Sequence, residues 1–378
     1  MVGLISKPDT RQKLEILSAD AQYDLACACT CNEEGRRRGS DGKWIYPVTL
    51  PNGGKSILFK TLLSNVCTND CKYCPLRKQM DVRRCSLNPE EAARVFLDYY
   101  NRREVFGLFL SSGVCGSPDA AMDRLNATAR ILRNKHAFRG YIHLKILPGA
   151  SDAAIEEAVS LSSTVSLNIE TPGETHLVKL SNRKNYLSDI IEPIKLISRL
   201  TARGARYERV KQTTQFIVGA AGESDTEIVK YTSGLYDRLK MHRVYFSAYQ
   251  KGLGDESIAG ERVELEKPSD LFMREHRLYQ VDFLFRKYSF RESDIVFDEN
   301  GNLNLATDPK EAWARRHPEV FPVDVNSASK FSLLRVPGLG PVTVKRILER
   351  RKTNRIRHIE DVGKVGVRLR KASSYLTF

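Results

Sequence analysis

Short apolar runs rich in β-branched and aromatic residues alternate with longer helix-like stretches through the middle of the chain. The runs predict six β-strands, at Ser56–Leu63, Gly107–Leu110, Tyr141–Ile146, Thr164–Ile169, Thr213–Val218 and Arg243–Ala248. Helix-start signals lie between them, including Asn88 followed by a proline and two glutamates, and a capping box from Ser224 to Glu227. Six strand–helix repeats predict a parallel sheet covered by helices.

The predicted fold class is α/β, an open (βα)6 partial TIM barrel, because six repeats are too few for the eight of a closed barrel. Ligands of such folds bind at the carboxyl ends of the strands. The expected division is residues 1–50 as an N-terminal segment, 51–287 as the barrel core, 288–322 as a linker or lid, and 323–378 as a small all-α domain.

The loop after the first predicted strand carries Cys67, Cys71 and Cys74, with the spacing C-x-x-x-C-x-x-C. Iron–sulfur clusters are usually held by four cysteine thiolates, so three thiolates leave one iron open for another ligand. A zinc site with Cys85 as fourth ligand is the alternative, although structural zinc loops more often contain two C-x-x-C pairs. The aromatic residue Tyr73 stands directly before the last cysteine.

This cysteine triplet with its aromatic residue resembles the signature of the radical S-adenosylmethionine (SAM) enzymes. The resemblance implies a 4Fe–4S cluster on the three cysteines, with SAM bound to the open iron and cleaved to a 5′-deoxyadenosyl radical. It also implies SAM-binding residues near the strand ends, namely Tyr73, Ser112, Gly113, Glu170, Ile217 and Gly219. On charge alone, Lys145 and Arg183 are candidates for binding the SAM carboxylate.

The implied roles of these residues differ. Ser112 and Gly113 stand where many superfamily members have a Gly-Gly-Glu element that binds the SAM amino group, and hydroxyl and carbonyl oxygens can also accept from an ammonium. Glu170 would bind the ribose hydroxyls, with capping of the next segment as its structural alternative. Ile217 and Gly219 resemble the apolar–glycine element that packs on adenine, although a glycine after a strand is often only a turn.

A second group of cysteines, Cys27, Cys29 and Cys31, has the spacing C-x-C-x-C. Residues two apart on an extended strand share a face, so three sulfurs there can converge on one metal. With Cys85 or Cys115 they are candidates for a second iron–sulfur cluster, and ordinary reduced thiols are the alternative.

The net charge of +14 is concentrated at the C-terminal end of the chain. Residues 324–378 contain 13 Lys and Arg against 4 Asp and Glu, which is typical of a polyanion-binding module. Within them, Pro337–Pro341 predicts a tight turn between two short helices, and Val362–Gly366 predicts a degenerate second turn.

These two turns resemble helix-hairpin-helix DNA-binding elements. Free backbone N–H groups at a helix start bind anions, so Gly338, Gly340, Lys345 and Arg346 are the candidate residues for binding the phosphates of double-stranded DNA. Such binding is expected to be independent of sequence and sensitive to salt. Docking of another protein is the alternative role.

The N-terminus lacks the charged start and apolar core of a signal peptide, and no apolar run approaches the ~20 residues of a membrane helix. Eight cysteines in such a chain indicate a reducing compartment. We therefore expect a soluble cytoplasmic protein with no membrane partner.

The whole layout resembles a family of DNA modification or repair radical SAM proteins, often associated with a uracil-DNA-glycosylase-like partner. The segments Phe109–Gly113, Gly140–Lys145 and Phe321–Asn326 carry this resemblance beyond the cysteine triplet. It implies a radical SAM enzyme acting on DNA, supplied by an electron donor such as flavodoxin or ferredoxin. The alternatives are a radical SAM enzyme modifying RNA or a small molecule, and a non-catalytic DNA-binding iron–sulfur protein.

Overall fold

The structure, a computed structural model, describes residues 8–21, 45–49, 55–263 and 269–378. These residues form two compact units: unit 1 extends to Glu223 and resumes from 234 to 271, and unit 2 contains 224–233 and 272–378. Cys27, Cys29 and Cys31 lie outside the described residues. The domain boundaries proposed from the sequence stay predictions.

Unit 1 is built on a seven-stranded sheet whose strands are neighbours in chain order. The strands are β1 Ile45–Thr49, β2 Lys55–Leu62, β3 Gly107–Ser111, β4 Tyr141–Lys145, β5 Thr164–Ser166, β6 Lys211–Val218 and β7 Arg243–Ala248. The pairing of β1 with β2 is antiparallel, and all later pairings are parallel. The six parallel strands form a curled half-barrel, which confirms the predicted fold class. Strand β1 was not predicted.

Helix α1 Thr10–Asp20 precedes the sheet, and further helices follow the parallel strands as the alternating pattern predicts. These are α2 Pro89–Asn101, α3 Pro118–Arg130, α4 Asp152–Leu161, α5 Glu174–Leu180, α6 Glu192–Leu200, α7 Asp225–Leu239 and α8 Ala259–Arg262. The predicted start of α2 is confirmed: the Asn88 side chain accepts from the Glu91 amide at 2.7 Å, and the Glu91 carboxylate accepts from the Asn88 amide at 2.8 Å. The capping box at Ser224 is also present.

The two faces of the half-barrel differ in polarity. On β4, Ile142 and Leu144 are completely buried, whereas the alternate residues His143 and Lys145 are polar and also buried. Because side chains alternate between the faces of a strand, the polar set lies on one face, where His143 Nε2 is 2.9 Å from Ser166 Oγ. The polar residues of this face extend to Lys145, which is the last residue of β4 and lies at the carboxyl ends of the strands.

Unit 2 is mainly helical. After α7, its elements are α9 Ser269–Tyr288, α10 Pro309–Arg316, α11 Lys330–Arg335, α12 Pro341–Arg350 and α13 Val367–Ser373, with a short parallel pair β8 Val323–Asp324 and β9 Leu376–Thr377. An apolar core that includes Val325, Leu333, Val344 and Ile347 joins the last three helices. Within the described part of the chain, no helix combines the length and apolar character needed to cross a bilayer.

The two predicted hairpins are α11–turn–α12 and the segment leading into α13, and they pack against each other at Gly338. This residue has φ +88°, and a Cβ built on it would lie 2.2 Å from the carbonyl oxygen of Arg368. Only glycine tolerates both the left-handed backbone and the close approach. At Gly366, by contrast, a Cβ would meet nothing within 4 Å.

We expect Gly338→Ala to lower the free energy of unfolding of unit 2 by about 2 kcal/mol, because the Cβ collides with backbone in a strained conformation. Gly366→Ala is the matched control, and its effect should stay below about 0.5 kcal/mol. Urea unfolding of both variants measures the difference. Equal stabilities of the two variants would contradict the packing of the hairpins described above.

Candidate active site

The cysteine loop, residues 64–80, follows β2 and forms one wall of a cavity at the carboxyl ends of the parallel strands. All three predicted ligands, Cys67, Cys71 and Cys74, line this cavity. The facing walls come from residues at or after the ends of β3 to β7, including Ser112, Gly113, Lys145, Asn168, Glu170, Gln215, Ile217 and Ser247. The cavity therefore brings together five of the six predicted SAM-binding residues: Tyr73, Ser112, Gly113, Glu170 and Ile217.

The cysteine loop has almost no regular secondary structure, so its backbone carbonyls need other partners. The guanidinium of Arg84 donates to four of them at 2.5–3.0 Å, those of Asn65, Leu76, Arg77 and Met80. A planar group with five N–H donors suits this task. Arg84 thus fixes the path of the loop on both sides of the cysteines.

Arg77 connects the cysteine loop to the loop that follows β7. Its guanidinium donates to the carbonyls of Cys74 and Leu253, both at 3.1 Å, and of Gly254 at 3.2 Å. The Asp255 amide donates to the Lys72 carbonyl at 2.7 Å. Leu253 also lines the cavity, so these contacts fix one wall relative to the cysteines.

On its other side the cysteine loop is joined to the turn after α5. The Asp70 carboxylate accepts from the Ser181 hydroxyl at 2.5 Å and from the Asn182 amide at 3.0 Å. Partial burial opposes ionisation, but these hydrogen bonds lower the pKa of the Asp70 carboxyl below its usual value. The turn held in this way carries Lys184 into the cavity.

Lys184 lines the cavity, although no sequence signal pointed to it. Its ammonium lies 3.4 Å from Glu170 Oε1 and 3.2 Å from the Tyr73 hydroxyl, and the Lys184 and Glu170 side chains are only 6% and 7% exposed. Burial alone would lower the pKa of Lys184, but the neighbouring Cys71 thiolate and the Glu170 carboxylate raise it above its usual value. The ammonium therefore compensates negative charge beside the cysteines.

The two cations suggested by the sequence occupy different places. Lys145 is buried and lines the cavity. Arg183 is not among the lining residues, and its guanidinium donates to the Thr68 carbonyl at 2.6 Å. The charge pattern pointed to the turn that contains Arg183 and Lys184. It did not show that Lys184 is the one that lines the cavity, because this depends on how the hydrogen bonds of Ser181 shape the turn.

Glu170 has an unusual backbone conformation, with φ +65°. Its amide and carbonyl still pair with β6, through Gln215 at 3.0 Å and Ile217 at 2.8 Å. A left-handed non-glycine residue costs free energy and is often found at functional sites.

Asn168, two residues before Glu170, also lines the cavity. Its Oδ1 atom is buried and has no hydrogen-bond partner among the described residues.

Ser112 and Gly113 close β3 against the cysteine loop. The Ser112 hydroxyl donates to the Gly113 carbonyl at 2.8 Å, so its oxygen can still accept a hydrogen bond. A Cβ on Gly113 would lie 2.5 Å from the Val66 carbonyl oxygen and 3.2 Å from the Cβ of Cys67. Glycine is thus needed for the strand end to come this close to the first cysteine.

Tyr73 and Ile217 pack against the same small apolar cluster, which includes Leu180 and Tyr249. Gly219, the sixth predicted SAM-binding residue, is not among the lining residues. It forms the turn after β6, with φ +88° and its amide donating to the buried carboxylate of Glu223.

The donor set fits an iron–sulfur cluster. Burial raises the pKa of the Cys71 thiol, and raises that of Cys74 to about 12, so thiolates form there together with the metal that stabilises them. Across the described ranges, no three His, Cys, Asp or Glu side chains are arranged to hold one metal ion. In a 4Fe–4S cluster, each cysteine binds a different iron. The three sulfurs therefore do not have to converge on one point, as they would around a single metal ion. Cys85 does not line the cavity.

Comparison with known proteins agrees with this geometry. A sequence profile described as the radical SAM superfamily matches residues 61–232, and one described as the helix-hairpin-helix motif matches residues 321–368. The chain contains a radical SAM domain. This confirms the resemblance inferred from the cysteine triplet and from the two C-terminal turns. A radical SAM domain implies a 4Fe–4S cluster and SAM.

Several solved structures are similar to this chain. HydG, the FeFe-hydrogenase maturase from Carboxydothermus hydrogenoformans, is 18% identical with a TM-score of 0.45, over 60% of this chain and 52% of that chain. Methylornithine synthase (PylB) is 14% identical with a TM-score of 0.45, over 60% and 63%. SuiB from Streptococcus suis is 15% identical with a TM-score of 0.43, over 73% and 54%. The search of curated protein sequences gave no match.

We expect Lys184→Met to destabilise the metal-free protein by about 3 kcal/mol, because it leaves the buried Glu170 carboxylate without its cation. Adding Glu170→Gln to that variant should recover part of the loss, since the uncompensated charge is then removed. Urea unfolding of the two single variants and the double variant measures this coupling. Strictly additive effects would show that the ion pair is not coupled.

Proposed function

We propose that this chain is a radical SAM enzyme that acts on double-stranded DNA, in modification or repair. The observation that carries the proposal is the cavity at the strand ends, where three cysteine thiols face Glu170, Lys184 and Tyr73. The second support is the helix-hairpin-helix motif in the same chain. The cavity supports the proposed radical reaction, and the helix-hairpin-helix motif supports DNA as the class of substrate.

In this proposal Cys67, Cys71 and Cys74 hold the cluster and leave one iron for SAM. When bound and reduced, the cluster and SAM supply a 5′-deoxyadenosyl radical that abstracts hydrogen from the substrate. The protein orients these groups and shields them from water. Two buried cations, Lys145 and Lys184, line the cavity and are the candidates for binding the SAM carboxylate.

The remaining contacts to SAM follow from the chemistry of each lining residue. Ser112 and Gly113 offer hydroxyl and carbonyl oxygens to the ammonium group. The Glu170 carboxylate, held by Lys184, accepts from the ribose hydroxyls. Ile217 offers an apolar surface to adenine beside Tyr73. Gly219 does not line the cavity, so its contribution to this surface is the turn that it forms after β6.

The DNA part of the proposal rests on the start of α12. The N-cap of this helix is Gly340, so no side chain caps its first backbone N–H groups. Such free N–H groups suit phosphate oxygens. Val342 in the first turn of α12 is 74% exposed, and the Lys345 side chain is 77% exposed, so this surface faces solvent.

The two predicted phosphate-binding cations are both exposed but differ in their contacts. Lys345 makes a long ion pair to Glu349 at 3.7 Å. Arg346 donates to the Val362 carbonyl of the second hairpin at 3.3 Å. We therefore assign phosphate binding to Lys345, and a role in joining the hairpins to Arg346. An electron donor such as flavodoxin or ferredoxin and a uracil-DNA-glycosylase-like partner complete the proposal from the family resemblance. The proposed cytoplasmic location rests instead on the cysteine content and on the lack of a signal peptide in the sequence.

Cys71→Ala should abolish cluster assembly during anaerobic reconstitution, because one of three ligands is lost from the loop. Cys115→Ala is the matched control, since Cys115 does not line the cavity, and it should still assemble the cluster of the cysteine loop. A partial loss of iron in this control would indicate the second cluster for which Cys115 is a candidate ligand. Iron and sulfide analysis with visible absorption measures both. Wild-type iron content in Cys71→Ala would exclude Cys71 as a ligand.

Lys345→Glu should weaken binding to a labelled DNA duplex by about tenfold at low salt, because a phosphate contact becomes a repulsion. Lys195→Glu in unit 1 is the control, since it makes the same charge change and also breaks a surface ion pair, to Glu192. Fluorescence anisotropy at several salt concentrations measures both affinities. Equal losses in the two variants would indicate net charge rather than a contact by the hairpin.

A further inference from the structure

Helix α10 contacts both hairpins through two consecutive residues. The Lys310 ammonium donates to the Leu339 carbonyl, in the turn of the first hairpin, at 2.6 Å. The Glu311 carboxylate accepts from the Lys371 ammonium, on α13 of the second hairpin, at 2.5 Å. The 288–322 segment, for which the sequence suggested a linker or a lid, thus supplies direct contacts to both hairpins.

The contact of Lys310 is built into the interior of unit 2. Lys310 is only 6% exposed, and its ammonium lies 4.6 Å from the centre of the Tyr288 ring. A buried cation is tolerated when hydrogen bonds and an aromatic face compensate its lost hydration. Asp308 caps the same helix by accepting from the amides of Lys310 at 2.9 Å and Glu311 at 3.3 Å. The start of α10 is therefore fixed under the first turn.

Arg335 holds the other side of that turn. It ends α11, two residues before Pro337, and its guanidinium lies 3.8 Å from the ring centre of Phe290 and 4.7 Å from that of Trp313, which is on α10. The guanidinium also donates to Asp294 at 2.9 Å. The turn that exposes the start of α12 is thus attached to α10 at both of its ends.

We propose that α10 is a brace that sets the spacing of the two hairpins so that the start of α12 and the basic second hairpin reach phosphates of one duplex. Lys310 is the positioning residue for the first hairpin, and Glu311 is the positioning residue for the second. Neither residue contacts DNA in this proposal. The inference rests on the proposed binding of double-stranded DNA, and it adds the element that makes the binding bivalent.

Glu311 allows a test in which the brace and simple electrostatics predict opposite signs. Removing a negative charge from a basic surface strengthens phosphate binding if net charge alone matters. The brace requires that Glu311→Gln weakens binding, because the ion pair that attaches α13 through Lys371 becomes a weaker, neutral hydrogen bond. Glu299→Gln, at an exposed position of the same unit, is the control for the change in charge.

The experiment measures binding of the full-length reconstituted protein to a fluorescent duplex of about 20 base pairs over a salt series. We expect Glu311→Gln and Lys310→Met each to bind about tenfold more weakly, and the slope of log K against log salt to fall by about one or two phosphate contacts. Glu299→Gln and Lys287→Met, which removes an exposed lysine next to Tyr288, should keep the slope of the wild type.

The pH dependence provides a readout that lost packing alone does not produce. Burial lowers the pKa of Lys310 to about 7, with Asp308 opposing the change and Arg335 reinforcing it. The Tyr288 phenol also faces the ammonium, and burial raises its pKa. The charged form donates the stronger hydrogen bond. Wild-type affinity should therefore fall between about pH 6 and about pH 8.5, and Lys310→Met should lose that part of the dependence.

The outcomes separate the brace from the proposed function. If the wild type does not bind duplex DNA with a salt-dependent affinity, the proposed function fails together with the brace. If the wild type binds, and both Glu311→Gln and Lys310→Met keep its affinity and slope, only the brace is overturned. Glu311 lies near the surface with an exposed partner, so its variant remains folded even if Lys310→Met does not.

Discussion

The attachment of the cysteine loop to the ends of the parallel strands is the constraint on which the rest of the active site depends. This loop has little regular structure, so its position is fixed by hydrogen bonds from Arg84, Arg77 and Asp70 rather than by helix or sheet. Each of these contacts ends on a segment that also lines the cavity or carries a lining residue. A shift of the loop would move the thiols away from both Glu170 and Lys184. The cavity would then no longer bring the cysteines together with these two charged residues.

The strands and the cysteine triplet were predictable from the sequence because their signals are local. Apolar runs, capping residues and cysteine spacing are read within a few positions, and all six predicted strands are present. The position of Lys184 was not predictable, because it depends on a hydrogen bond between residues 70 and 181. Arg346 presents the same difficulty, since its role follows from a carbonyl sixteen positions away.

The C-terminal region shows how a short sequence motif depends on residues outside it. Gly338 in the first turn permits close packing against the backbone of Arg368. The spacing between the hairpins, however, is also determined by Lys310 and Glu311 on α10, which no hairpin signature includes. A buried lysine in a polar sequence gives no signal of its own, because most lysines are exposed.

The central claim is that an adenosyl radical formed in this cavity takes hydrogen from DNA. The most direct measurement incubates the reconstituted, reduced protein with SAM and a deuterated duplex, and determines the isotope content of the 5′-deoxyadenosine by mass spectrometry. We expect 5′-deoxyadenosine that carries deuterium from the duplex, and none from deuterated transfer RNA. Formation of 5′-deoxyadenosine without label from any DNA, damaged or undamaged, would contradict it.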